Sequence, residues 1–233
     1  MESSNQILTF RDLTIGYETN SLVDSINISA SKGDLIALMG LNGTGKTTLF
    51  KTILGEIPPI SGQILLNGNL IDFKDIQHQI SVVFTNRISI FGFTVRDMVA
   101  MGRMPYTNRF GKLSTEDNQI VSNYISELNL TEIEDLEINN LSDGQFQKVM
   151  IARALAQETS LLLLDEPTAF LDIKNKKMIH SLLSKLSSNN GKTVIVSTHN
   201  DEFCKEYCSK AWIIKNNKLI EKDSKLISDQ DFD

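Results

Sequence analysis

Gly40-Leu41-Asn42-Gly43-Thr44-Gly45-Lys46-Thr47 sets three glycines, a lysine and hydroxyl groups within eight residues. Glycines let a backbone enter positive φ, so that successive N–H groups can turn toward the oxygens of one phosphate chain. A helix starting at the lysine would add the partial positive charge of its N-terminus. Lys46 could then reach β- and γ-phosphates, and Thr47 could offer its hydroxyl to Mg²⁺. Gly40, Asn42, Gly43, Thr44, Gly45, Lys46, Thr47 and Thr48 are therefore candidate nucleotide-binding residues. The four fixed positions of this pattern arise by accident in about one chain in a hundred of this length. A second stretch makes the accident less tenable. Leu161-Leu162-Leu163-Leu164-Asp165-Glu166 is an apolar run ending in two carboxylates, suited to a strand whose tip holds Mg²⁺ through Asp165 and polarises an attacking water through Glu166.

These residues need rigid elements to position them. Residues 34–39 read as a strand running into the glycine loop, and residues 48–54 as the helix leaving it. Residues 7–85 alternate short β-rich runs with Gly and Asn turns: 7–10, 25–28, 64–68 and 80–84. From about 94 to 157 the period becomes helical. Ser114 and Asp117 form a capping-box pattern, after which Ile120, Val121, Tyr124, Ile125 and Leu128 share a face. Buried-strand runs return at 161–164 and 193–197, with a helical stretch at 176–186 between them, the alternation of a parallel sheet. The fold class is α/β.

Composition narrows the function. The 233 residues are 41% hydrophobic and 22% charged with four prolines, the profile of a folded globular chain. A net charge of −6 argues against a general nucleic-acid footprint. No window approaches the roughly 18 apolar residues of a membrane span. The opening residues lack the basic and apolar regions of a secretory signal, so the expected compartment is the cytosol. Cys204 and Cys208, with His199 upstream, are spaced too irregularly to close a metal site and read as small apolar residues.

Leu141-Ser142-Asp143-Gly144-Gln145 lies between the two phosphate motifs and closely resembles the LSGGQ signature of ABC-family ATPases, with Asp143 replacing the first glycine. The resemblance spans about residues 7–222, with the motifs in family order. It implies a P-loop NTPase (RecA-like) core with an antiparallel β subdomain and an inserted α-helical subdomain. The whole chain would be one nucleotide-binding domain, its core at about 1–85 and 158–225 and its helical part at about 86–157. It also implies a homodimer in which Ser142, Gly144 and Gln145 of one copy cover the γ-phosphate held by the other. Tyr17 resembles the aromatic that stacks on adenine. His199 resembles the switch histidine that contacts the γ-phosphate and, with Glu166 and Lys46, completes the catalytic set. Leu171-Asp172 resembles the D-loop between the two ATP sites.

One position departs from the family. Thr85 stands where a glutamine usually touches Mg²⁺ and the permease, and a shorter side chain makes it a weaker metal contact. Residues 93–106 and 113–117 are similar to a segment of importers for iron(III)-siderophores, haem and cobalamin. The resemblance thus implies an ATPase bound to a transmembrane permease at the inner face of the cell membrane, with an extracytoplasmic substrate-binding protein in the full system. Two other readings compete: a soluble ABC ATPase such as one of iron–sulfur assembly, and a P-loop kinase, for which the signature and His199 would have no use.

Overall fold

The computed structural model describes residues 5–85, 87, 89–107, 111–189, 191–228 and 231. The chain opens with β1 (Gln6–Tyr17), β2 (Asn20–Ile26) and β3 (Ser29–Ser31), then runs through β4 (Leu35–Gly40) into α1 (Lys46–Ile53). The run expected at residues 25–28 is broken, with β2 ending at Ile26 and β3 starting at Ser29. Ser25 adopts a left-handed φ of 50° there, and the Asp12 N–H is taken by the Asn27 side chain at 2.9 Å. β5 (Ser61–Leu66) and β6 (Asn69–Leu70) form a hairpin about Asn67-Gly68, both at positive φ, as an Asn-Gly turn favours. β7 (Ile80–Val83) precedes three helices: α2 (Val95–Ala100), α3 (Thr115–Glu127) and α4 (Asp143–Ala156). β8 (Leu161–Asp165), α5 (Ile173–Ser188), β9 (Thr193–Ser197), α6 (Asp201–Tyr207), β10 (Lys210–Lys215) and β11 (Lys218–Asp223) complete the chain.

Two sheets result. One has the order β11-β10-β4-β9-β8-β7, parallel except for β11 at its edge; the other is antiparallel, β2-β1-β5-β6 with β3 also paired to β1. The parallel strands are apolar throughout because both faces are covered. Along β4, Leu35, Ala37 and Met39 join a core shared with the helices α2 to α6, while Ile36 and Leu38 join a second core against α1 and the antiparallel sheet. β8 divides in the same way, with Leu162 and Leu164 on one side and Leu161 and Leu163 on the other. This period-two partition locks the register, since a one-residue slip would exchange the two cores.

Each of α2, α3 and α4 starts with a capping box: Thr94 with Asp97, Ser114 with Asp117, and Ser142 with Gln145. Val121, Ile125 and Leu128 are buried, with Ile120 and Tyr124 half-buried beside them. A buried arginine ties these helices together. Arg103 donates to Asp117 at 2.8 Å, to the Ala156 carbonyl at 2.8 Å and to Glu158 at 2.9 Å, and lies over the Tyr106 ring at 4.2 Å. Hydrogen bonds from Ser114, then the Arg103 guanidinium, hold the Asp117 carboxyl down at about 2, below its ordinary 3.8. A depressed carboxyl stabilises the fold fully above its unfolded value, and that contribution is lost as pH falls from about 4 toward 2. Arg103→Met, which strands a buried carboxylate, is expected to cost about 3 kcal/mol in urea unfolding at neutral pH, with the deficit shrinking across that acid window; an unchanged midpoint would contradict this account.

Candidate nucleotide site

The carboxyl ends of β4, β8 and β9 lie side by side, Leu38 opposite Ser197 and Asp165 opposite Ser197, so whatever follows each strand converges on one edge of the sheet. This is where open α/β sheets bind ligands. Beyond β4 the chain curls through Gly43 at φ 80° and Gly45 at φ 112°, a left-handed path that side chains resist, and Gly45 caps α1 without a side-chain acceptor. Thr44 closes the curl by donating its hydroxyl to the Leu41 carbonyl at 2.9 Å. The first N–H groups of α1 therefore remain free to face an anion.

Lys46 is buried, and its Nζ donates to the carbonyls of Gly40 at 2.7 Å and Leu41 at 3.1 Å. Burial lowers its pKa, opposed by the nearby charges of Glu166 and Asp165. Thr47 donates its hydroxyl to Asp165 Oδ2 at 2.7 Å, while the other oxygen of that carboxylate accepts a short hydrogen bond from Ser197. Thr85 does not reach the carboxylate. Its hydroxyl donates to the Asp165 main-chain carbonyl at 3.1 Å, fastening the end of β7 to the end of β8.

Glu166, the next residue, takes a left-handed φ of 44°, which costs roughly 1 kcal/mol for a residue with a Cβ. Its N–H is held by Ser197 through both the carbonyl at 3.1 Å and the hydroxyl at 3.0 Å. That turn aims the carboxylate at His199, whose Nε2 lies 3.0 Å from Glu166 Oε1, 3.1 Å from Asn42 Oδ1 and 3.5 Å from Lys46 Nζ. Tyr17 stands at the rim, 52% exposed, its hydroxyl 3.4 Å from that of Thr48.

The structure thus gathers Tyr17, Asn42, Gly43, Gly45, Lys46, Thr47, Thr48, Thr85, Asp165 and Glu166 along one cleft of 410 Å³. Gly40 and His199 line an adjoining hollow that shares Glu166. Ser142, Gly144 and Gln145 are elsewhere, lining a separate cleft with Lys148 and residues 170–172. Ser142 accepts from the Gln145 N–H at 3.3 Å and Gln145 Oε1 accepts from the Ser142 N–H at 2.9 Å. Asp172 caps α5 through the Asn175 N–H at 2.8 Å. Hard oxygens from Thr47 and Asp165, 2.7 Å apart, form a donor set suited to Mg²⁺. Among the described residues no cluster of three or more His, Cys, Asp or Glu side chains offers another metal site, and Cys204 and Cys208 are buried and unbridged.

A parallel sheet with a glycine phosphate loop at its carboxyl edge defines a P-loop NTPase. The ABC transporter family pattern matches residues 23–169, and the chain belongs to that family. An uncharacterized ABC transporter ATP-binding protein of Methanocaldococcus jannaschii is 38% identical over 92% of this chain and 75% of its own length. The iron(3+)-hydroxamate import ATP-binding protein FhuC of Bacillus subtilis is 38% identical over 82% of this chain and 72% of its own. The molybdate import ATP-binding protein MolC of Haemophilus influenzae is 37% identical over 84% and 74%. Among solved structures, an inward-facing putative metal-chelate type ABC transporter superposes with a TM-score of 0.84 at 31% identity, covering 97% of this chain and 87% of that one. A dimeric ATP-binding cassette in a post-hydrolysis state with ADP and Pi superposes at 0.80 and 27% identity, covering 94% and 99%. The chain is an ATP-binding protein of the ABC transporter class and an ATPase.

Ser197 escaped the motif reading because serine at the end of an apolar strand carries no local signal. It donates to the Asp165 carboxylate and accepts the N–H of Glu166, the candidate base. Ser197→Ala is expected to lower kcat for ATP hydrolysis roughly tenfold with KM shifted far less, the pattern of a misaimed base; wild-type turnover would rule the role out.

Proposed function

We propose that the chain is the ATP-hydrolysing subunit of an ABC importer, acting as a homodimer beneath a separate permease at the inner face of the membrane. One observation supports the dimer: the signature residues line a cleft separate from the nucleotide cleft of the same chain, as a head-to-tail pair requires. Two copies arranged head to tail would place Ser142, Gly144 and Gln145 of one over the phosphate gripped by the other. The entire chain then serves as one nucleotide-binding domain, and no nucleic acid takes part.

In this reading Tyr17 stacks on the base, the loop amides and Lys46 hold the phosphates, and Thr47 and Asp165 hold Mg²⁺ with a weaker contribution from Thr85. When bound there, Mg²⁺ would screen the charge among the phosphate oxygens. Glu166 accepts a proton from the water that attacks the γ-phosphorus as the β–γ bridging bond breaks, leaving ADP and phosphate. His199 fixes the γ-phosphate and the water through its contact with Glu166. Closure on ATP is driven by the extra affinity that nucleotide has for the closed pair. Among the described residues no helix is long and apolar enough to cross a membrane. For cargo, the segment at 93–106 and the relative named for iron(3+)-hydroxamate import favour an iron chelate, with a binding protein delivering it from outside. A molybdate importer among the relatives makes an oxyanion the competing cargo.

Glu166→Gln is expected to bind Mg·ATP, lose turnover by roughly a thousandfold and accumulate as a dimer in sedimentation; near-normal turnover would remove Glu166 as the base. Affinity purification from membranes should bring down a polytopic partner, whereas a purely soluble partner would favour the non-transport ABC ATPase. Thr85→Gln is expected to shift the ratio of permease-stimulated to basal ATPase, and an unaltered ratio would show that position 85 does not set coupling.

A further inference from the structure

Asp143 is the residue by which the signature of this chain departs from its pattern, and its location poses an electrostatic problem. It occupies the first turn of α4, immediately after the capping Ser142, and lines the signature cleft. A carboxylate there is attracted by the helix dipole, but the same helix end is the one that must receive the triphosphate of a partner. A negative charge at that point opposes a second one.

Arg87 stands against it. One guanidinium nitrogen donates to Asp143 Oδ1 at 2.6 Å; the other donates to the carbonyls of Leu141 at 2.9 Å and Asn139 at 3.3 Å. The group also lies over the buried Phe146 ring at 5.3 Å. Ser89 and the Ile90 carbonyl bond the Asn139 side chain at 3.1 Å each, so Ser89 and Ile90 as well as Arg87 are laced to the loop that leads into the signature. Lys148, a cation that lines this cleft, has its pKa lowered by burial, opposed by the charge of Asp172.

We propose that Arg87 is a positioning residue for the ATP-bound dimer: it neutralises Asp143 and fixes the carbonyls ahead of Ser142, so that the signature end of α4 can accept a phosphate. Arg87 and Asp143 then act as a matched pair, the arginine restoring what the missing glycine would have left uncharged. Because Arg87 lies two residues beyond Thr85, the pair also ties the segment expected to meet the permease to the segment that covers ATP. The proposal rests on the head-to-tail dimer.

The test titrates Mg·ATP against dimer formation by sedimentation in a Glu166→Gln background. Arg87→Ala is expected to raise the half-maximal Mg·ATP concentration roughly three- to tenfold, and adding Asp143→Asn should recover most of that loss by deleting the uncompensated charge. Arg87→Gln, which keeps an N–H donor without charge, should weaken assembly in the same sense should the alanine variant fold poorly. A purely structural role for Arg87 would not be rescued by removing the Asp143 charge. If the Glu166→Gln parent dimerises and Arg87→Ala matches it, or if Asp143→Asn rescues nothing, the pairing is overturned while the dimer stands. A parent that stays monomeric at saturating Mg·ATP overturns both.

Discussion

The carboxylate of Asp165 is held almost out of reach of water where four segments of chain meet, and the geometry of the site follows from how it is satisfied. Thr47 at the start of α1 supplies one hydroxyl and Ser197 at the end of β9 another, while Thr85 after β7 secures the carbonyl of the same residue. A buried charge must be compensated or it unfolds its surroundings. Here the compensating groups come from the phosphate loop and the adjacent strand, so satisfying Asp165 also fixes the distance between them. Hydroxyl donors, unlike an arginine or lysine partner, leave the carboxylate net negative and able to accept a cation.

Strain at the next residue is a consequence of the same junction. Glu166 continues from a strand that ends in a tight cluster and turns left-handed, an arrangement maintained by two acceptors on Ser197. The cost is offset by those bonds, and the result is a carboxylate directed out of the sheet toward His199. Asp165 and Glu166 are neighbours in sequence, yet the reversed backbone sends their carboxylates to different environments: Asp165 is buried, whereas Glu166 faces the cleft.

Ser142 shows that a structural and a functional reading of one residue need not compete. Its capping box with Gln145 is the same device that starts α2 and α3, and it would stabilise α4 in any protein. What distinguishes α4 is the surroundings. A Cβ on Gly144 would come 3.1 Å from the Phe170 carbonyl, so the helix end is packed beneath the loop that follows β8, and this cap lines a cleft.

Much of this protein was legible from the sequence because the information is local. A strand, a glycine turn and a helix within residues 34–54, an apolar run ending in Asp165-Glu166, and a serine three residues ahead of a glutamine each specify their backbone by short-range sterics and hydrogen bonding. Residues 25–28 are the instructive exception: their β-rich composition hid a break produced by contacts with β1, half a hairpin away. The tertiary structure alone decided which distant groups meet: Lys46 with His199 across 153 positions, Glu166 with Ser197 across 31, and Arg87 with Asp143 across 56. Pairings of that separation leave no spacing or period to read, since they depend on the strand order of a sheet and on how three capped helices pack beside it. Residue types and turns therefore announced a phosphate-binding loop, and the folded sheet determined what surrounds it.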